Sequence, residues 1–218
     1  MPNGDQTRER IERVALDLFL ERGYAGTPLR LIAEAADLTT PALYWHYKSK
    51  GDLCFSIVAR EFQEFGDLVR AAVGRGSPEE QLREYVEAFV SLQLRRRKGP
   101  MKLGFDQLVA SLPPAQRTGI DRIQRPLFDG LRGILKSGQS LGVFAVLDVT
   151  VTSFAIISMA DYVFTWYRPT GEFSIDEIAA EYADLAVRLA RGPALGPEPS
   201  PRVSRAAAVP KSSAASKP

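Results

Sequence analysis

Apolar residues recur with a helical period along nearly the whole chain. Ile11, Val14, Ala15, Leu18 and Phe19 stand at i, i+3, i+4, i+7 and i+8, which lays one apolar face along a first helix. Arg22-Gly23 closes it, with Gly23 placed for the left-handed C′ conformation. Thr27 and Pro28 are read as N-cap and N1 of a second helix, whose inward side is Leu29, Ile32, Ala33 and Ala36. Asp37-Leu38 is a tight turn, because aspartate tolerates positive φ better than most residues. Thr39 caps a third, short helix with Pro41 in its first turn, where a missing N–H costs little. Leu43 and Tyr47, four apart, share its core side. Ser49 and Asp52 have capping-box spacing and open a long helix from about 50 to 73, with Leu53, Ile57, Phe62, Phe65 and Val69 apolar.

The pattern restarts after Gly74-Arg75-Gly76. Ser77-Pro78 with Glu80 opens a helix to Arg97, and Gly99-Pro100 breaks it. A helix from about Met101 to Ser111 stops before Pro113-Pro114, and another runs to about Ser137, interrupted or kinked near Pro126. Gly138 to Leu147 reads as a turn-rich connection. Asp148 caps an apolar helix that ends at Tyr167-Arg168-Pro169, and Ser174 with Glu177 boxes a last one with Ile178, Tyr182, Leu185 and Leu189 inward. No stretch alternates with the period of a strand, so the fold class is all-α. Residues 192–218 are rich in Pro, Ala and Ser and read as a disordered, weakly basic tail.

The apolar run Val143–Trp166 raises the question of a membrane. Asp148 and Asp161 leave about 12 residues between them, short of the roughly 20 that a spanning helix needs. A buried core helix is expected, and no membrane partner. The polar N-terminus has no apolar signal core, and the single cysteine, Cys54, suits a reducing cytoplasm and excludes a disulfide framework.

Charge alone says little about partners. Lys and Arg number 28 against 26 Asp and Glu, a formal charge of +2, so placement has to decide. Residues 1–56 even carry more acids than bases. Tyr44, Trp45, His46, Tyr47, Lys48 and Lys50 nevertheless crowd together directly after the tight turn, which suggests a helix that lies against nucleic acid. The plainer alternative packs Tyr44 and Trp45 internally. Arg95-Arg96-Arg97-Lys98 is explained by a solvated helix C-terminus, where cations complement the dipole. Catalysis finds no footing: His46 is the only histidine, and no phosphate loop or metal-ligand set accompanies it. No enzyme activity, metal or cofactor is expected.

Two short helices, a tight turn and a bracing first helix make a helix-turn-helix. Residues 8–56 closely resemble the DNA-binding domain of the TetR family of transcriptional regulators. The resemblance is carried by Phe19, Gly23-Tyr24, Thr27, Arg30, Ile32-Ala33, Leu38, Leu43-Tyr44, His46-Tyr47, Ser49-Lys50 and Leu53 at fixed spacing. Asp37 stands where the family usually has glycine, and Pro28 where it often has Ser or Thr; neither breaks the turn.

The resemblance implies a helix-turn-helix domain over 1–52, an effector-binding and dimerisation domain over 53–191, and a bridging helix from about 50 to 73. It implies base contacts from Pro41, Ala42 and Trp45, and phosphate contacts from Thr40, Tyr44 and Lys50. Thr27, Arg30, Thr39, His46 and Lys48 complete the candidate DNA surface. It further implies a homodimer joined through the last two helices, with Ile156, Val163, Ile178, Tyr182, Leu185 and Leu189 as interface candidates. Phe89, Gln93, Met101, Phe105, Leu108, Phe128, Phe154 and Met159 are candidates to line an effector pocket. Trp166-Tyr167-Arg168-Pro169-Thr170-Gly171 is similar to a segment of family members that govern lipid and acyl-CoA catabolism, which implies a small lipophilic or acyl-CoA-type effector. The expected function is a ligand-responsive DNA-binding regulator, a repressor in most of the family. The alternative is a helical small-molecule-binding protein with little DNA-binding activity.

Overall fold

The computed structural model describes residues 4–96 and 99–192, without the side chains of residues 99–104. Among the described residues every regular element is helical: α1 (Gly4–Arg22), α2 (Leu29–Ala35), α3 (Thr40–His46), α4 (Lys50–Ala72), α5 (Pro78–Arg96), α6 (Gly99–Ser111), α7 (Pro114–Ser140), α8 (Val149–Asp161) and α9 (Ile175–Arg191). A 3-10 turn, Tyr162–Thr165, extends α8. The tail falls outside the described residues, as do Arg97 and Lys98 of the basic run.

Local chemistry sets most of the helix ends. Gly23 takes φ 75° after α1, and Asp37 takes φ 53° between α2 and α3, the left-handed conformations that the turns demand. Thr39 accepts from the Ala42 N–H, Ser49 from the Asp52 N–H, and Asp148 from the Val151 N–H. Ser174 and Glu177 form a full capping box. There the Ser174 N–H and hydroxyl donate to Glu177 and hold its carboxyl below the ordinary range.

Some expected ends differ: α8 stops at Asp161, and only a 3-10 turn continues toward the expected end at Tyr167-Arg168-Pro169. Pro28, not Thr27, occupies the cap position of α2; the Thr27 hydroxyl turns back to donate to the carbonyls of Gly23 and Leu18 at 2.9 and 3.2 Å. Helix α7 runs unbroken through Pro126 to Ser140. Proline there forfeits one hydrogen bond, about 3 kcal/mol with its steric cost, and the burial of Leu127, Leu131, Ile134 and Leu135 just beyond it offsets that cost.

The buried side chains form two cores. The first joins α1, α2, α3 and the start of α4 to Phe105, Leu108, Leu112 and Ile120. The second holds the end of α4 together with α5, α7, α8 and α9. Helix α5 packs most extensively on α9, which turns Ala179, Ala183, Ala186 and Ala190 inward. These small side chains let the two backbones approach closely. Arg95–Asp176 and Arg191–Glu79 ion pairs lace the rim of this packing, and Arg96 pairs with Glu64 across to α4. Phe144 folds back over Gly138, where any Cβ would stand inside the ring. Among the described residues no helix is long and apolar enough to cross a membrane.

Candidate nucleic-acid interface and buried cavity

Helix α3 is built to show one face. Leu43 and Tyr47 are buried beneath it, while Pro41, Tyr44 and Trp45 point out; Trp45 is 82% exposed and touches His46 edge-on, ring centroids 5.0 Å apart. Thr39 and Lys48 are exposed at its two ends, and Thr40, Ala42 and His46 are half-buried along its flanks. Arg30 stands exposed on α2 and pairs with Glu34 one turn on, at 2.6 Å.

Two of the DNA-surface candidates sit differently from their expected places. Thr27 is fully buried with its hydroxyl spent on two carbonyls, so it has no free path to a phosphate. Lys50 is half-buried, its ammonium donating to the Tyr24 carbonyl at 2.8 Å and lying 4.3 Å from the Tyr24 ring centre. It fastens the α1–α2 turn to the start of α4.

A buried carboxylate that the sequence pattern did not single out holds this surface in place. Glu12 on α1 accepts from the Tyr47 hydroxyl at 2.7 Å and from Ser56 at 2.6 Å, and pairs with Arg60. It ties the C-terminal end of α3 to α1 and α4. Burial and the Glu12 bond push the Tyr47 phenol up, so it stays a donor. The only signal in the sequence is an acid set beside the Ile11–Ala15 stripe, which looks like any helix flank.

A cavity of about 320 Å³ opens among α4, α5, α6, α7 and α8. Its apolar wall includes Phe62, Phe65, Phe89, Leu127, Phe128 and Ile157, and its polar wall is Gln93, Asp106, Asp121, Gln124 and Asp161; Val109 and Ile120 complete it. Phe65 and Phe89 meet edge to face at 5.0 Å.

Of the pocket candidates, Phe89, Gln93 and Phe128 line this cavity. Phe105 and Leu108 do not; they sit on the opposite face of α6, in the core that α6 shares with α1 and α4. Phe154 is 52% exposed and covers Phe128 from outside, with the Arg132 guanidinium over its ring. Met159 is half-buried against the second core and is not in the wall, and the Met101 side chain lies outside the described residues. Trp166 stacks on Tyr182 and donates its indole N–H to that hydroxyl at 3.1 Å, away from the cavity.

The interface candidates divide in the same way. Ile156, Val163 and Ile178 are buried in the chain's own second core. Tyr182 is half-buried, Leu185 and Leu189 are exposed, and so are Val151 and Phe154 on α8 and Tyr162 in the 3-10 turn that follows it. Cys54 is a core thiol that burial pushes up to about 12.

Comparisons with known proteins follow this geometry. Residues 11–57 match the model of bacterial regulatory proteins of the tetR family, and residues 75–190 match that of a tetracyclin repressor-like C-terminal domain. The HTH-type transcriptional repressor KstR2 of Rhodococcus jostii is 24% identical over 184 residues, 83% of this chain and 89% of that protein. A crystal structure of a tetR-family regulatory protein from Rhodococcus RHA1 superposes with a TM-score of 0.73 at 26% identity, covering 84% of this chain and 96% of that one. AibR, solved in complex with isovaleryl coenzyme A and operator DNA, gives a TM-score of 0.67 at 24% identity over 82% and 97% of the two chains. At that identity the likeness is one of fold.

Proposed function

The chain belongs to the tetR family of bacterial regulatory proteins, and from that premise we propose that it is a homodimeric repressor released from a palindromic operator by a small effector. The observation that carries this reading is the outward face of α3: Pro41, Tyr44 and Trp45 stand in solvent on a helix whose inner face is fully packed. Apolar side chains exposed side by side, as these are, form the kind of patch that marks an interaction surface. Residues 1–52 act as the DNA-reading head and residues 53–191 as the effector and dimer domain, with α4 spanning both. The exposed strip of Leu185, Leu189, Phe154 and Val151 is the surface through which two copies pair. In the dimer each α3 enters a major groove, with half-sites one helical turn, about 34–36 Å, apart. The family is one of transcriptional regulators; we assign this chain no enzymatic activity and place it in the cytoplasm.

The effector is a small lipophilic or acyl-CoA-type molecule held in the cavity among α4 to α8, whose walls are mostly aromatic and aliphatic. It releases DNA only if it binds better to a dimer with mis-spaced heads than to the DNA-bound form. A gel shift with DNA from beside the protein's own gene tests the reading. Salt-sensitive retardation by two chains per palindrome is expected. A folded dimer that retards no flanking DNA at low salt would overturn it in favour of a small-molecule-binding protein without a regulatory role.

A further inference from the structure

A second groove, at the C-terminal end of α3, runs between α1 and α4, with Arg8, His46, Tyr47, Lys48, Asp52 and Arg60 among the residues that line it. Its charges are unevenly matched. Arg60 is spent on Glu12, which also accepts from Tyr47 and Ser56. Asp52 is the one acid of the groove among the described residues, and its two oxygens accept from Ser49 at 2.8 Å and from Gln116 at 3.0 Å. Arg8 and Lys48 are exposed, and neither forms an ion pair among the described residues. Asp5 and Glu12 act on Arg8 only at longer range, and Met1-Pro2-Asn3, ahead of α1, contain no acid. A groove with a surplus of one sign concentrates counter-ions of the other.

Arg8 is also held in place. The carbon at the centre of its guanidinium lies 5.3 Å from the centre of the Tyr47 ring, and Tyr47 is itself locked by its hydrogen bond to Glu12 at 2.7 Å. A guanidinium resting on a ring uses its flat face. Its N–H donors stay in the plane of the fork, where they can meet two oxygens of one phosphate side by side. Fixing the side chain beforehand removes part of the ordering cost of such a contact. The groove also adjoins the outward face of α3, because His46 lines it and touches Trp45 edge-on.

Resting on the reading of α3 as the DNA-reading helix, we infer that this groove receives the sugar–phosphate backbone of the operator, with Arg8 donating to a phosphate beyond those that α3 itself meets. Lys48 and the half-buried His46 stand on the side nearer α3. The contact is to backbone and not to a base edge, so it fixes the orientation of the head on the duplex and carries no sequence information. Helix α1 then has two roles. Its inner face braces the head through Ile11, Ala15 and Phe19, and its first turns reach the DNA through Arg8. Such a cation also lets a head with more acids than bases hold a polyanion, since position rather than excess supplies the attraction.

The test uses the full-length protein and a labelled DNA fragment from beside its own gene, titrated by fluorescence anisotropy between about 50 and 200 mM salt. Arg8→Ala should weaken binding about fivefold, equally on that fragment and on unrelated DNA, and lower the slope of log affinity against log salt by about one. Arg8→Lys keeps the charge and should keep the slope while losing part of the affinity, which a purely structural role for Arg8 would not produce. Should the alanine variant melt early, Arg8→Gln reads the same slope. Single neutral methylphosphonate linkages are then scanned along the fragment. One linkage per half-site should weaken the parent and leave Arg8→Ala unmoved. An unchanged slope in Arg8→Ala and Arg8→Gln, or a scan in which every linkage affects parent and variant alike, overturns the inference. If the parent itself binds no DNA, the regulator reading falls and takes this one with it. If the parent binds and the variants keep its slope, only the inference falls, so the two failures are told apart.

Discussion

Replacing Trp45 with alanine separates recognition from stability. A tryptophan side chain buries about 150–250 Å² when covered, and Trp45 is 82% exposed, so roughly 120–200 Å² remains for DNA to cover. At about 25 cal/mol per Å² this sets a ceiling of about 3–5 kcal/mol. Incomplete coverage and side-chain ordering in the complex reduce it to about 1–3 kcal/mol, the scale of one good base contact, or a five- to 150-fold loss of operator affinity. In the free protein the edge contact with His46 is the ring contact at stake, so folding stability should change by no more than about 0.5 kcal/mol. Fluorescence anisotropy on a labelled operator at fixed salt measures the first quantity, and a thermal melt followed by circular dichroism measures the second. A variant that melts like the parent and binds operator as tightly would show that Trp45 does not meet DNA.

Five further outcomes follow from particular residues. Lys50→Ala removes a charged donor from the Tyr24 carbonyl; being half-exposed, it should cost about 1.5 kcal/mol in urea titration, and an unchanged midpoint would dismiss the contact. Lys48→Ala, by contrast, should lower the salt slope of operator binding by about one. Gly138→Ala gains about 1 kcal/mol of helix propensity but drives a methyl into the buried Phe144 ring, an overpacking cost of about 1–3 kcal/mol, so the melting temperature should fall; a rise would contradict the packing. Leu189→Glu sets a charge in the exposed apolar strip and should yield monomers in light scattering that no longer bind the palindrome, whereas an intact dimer would move the interface elsewhere. Cys54, pushed up to about 12, should stay inert to a disulfide reagent at pH 8, where only about one thiol in ten thousand is ionised, and react once guanidinium unfolds the chain; prompt labelling of the native protein would refute its burial.

How much was legible in the sequence depended on whether the signal was local. The Thr39, Ser49, Asp148 and Ser174 caps and the positive φ of Asp37 are decided within four residues, and each was readable from spacing. Helix α8 is apolar nearly all round, so periodicity could not say which side faces its own core; Ile156 turned in and Phe154 out. Helix α9 misled for another reason. Its large residues Leu185 and Leu189 marked an apolar stripe, but α5 packs on the neighbouring alanines. The cavity was only partly legible because its wall comes from five helices, and Phe105 and Asp106, adjacent in sequence, face opposite ways. Glu12 stayed hidden because a carboxylate on a helix flank reads as solvated until its three partners arrive from residues 47, 56 and 60.

Helix α6 packs into the first core and also walls the cavity, and this has a thermodynamic corollary. Phe105 and Leu108 fill the core beneath the recognition helix, while Asp106 and Val109 form cavity wall. Whatever occupies the cavity presses on the same rod that the head rests against. Coupling of this kind runs both ways: the factor by which an effector weakens operator binding is the factor by which operator weakens the effector. A promoter carrying the bound dimer therefore holds its effector less tightly than the free pool does. Adding copies of the operator should raise the effector concentration needed for half-release, with no change to the protein at all.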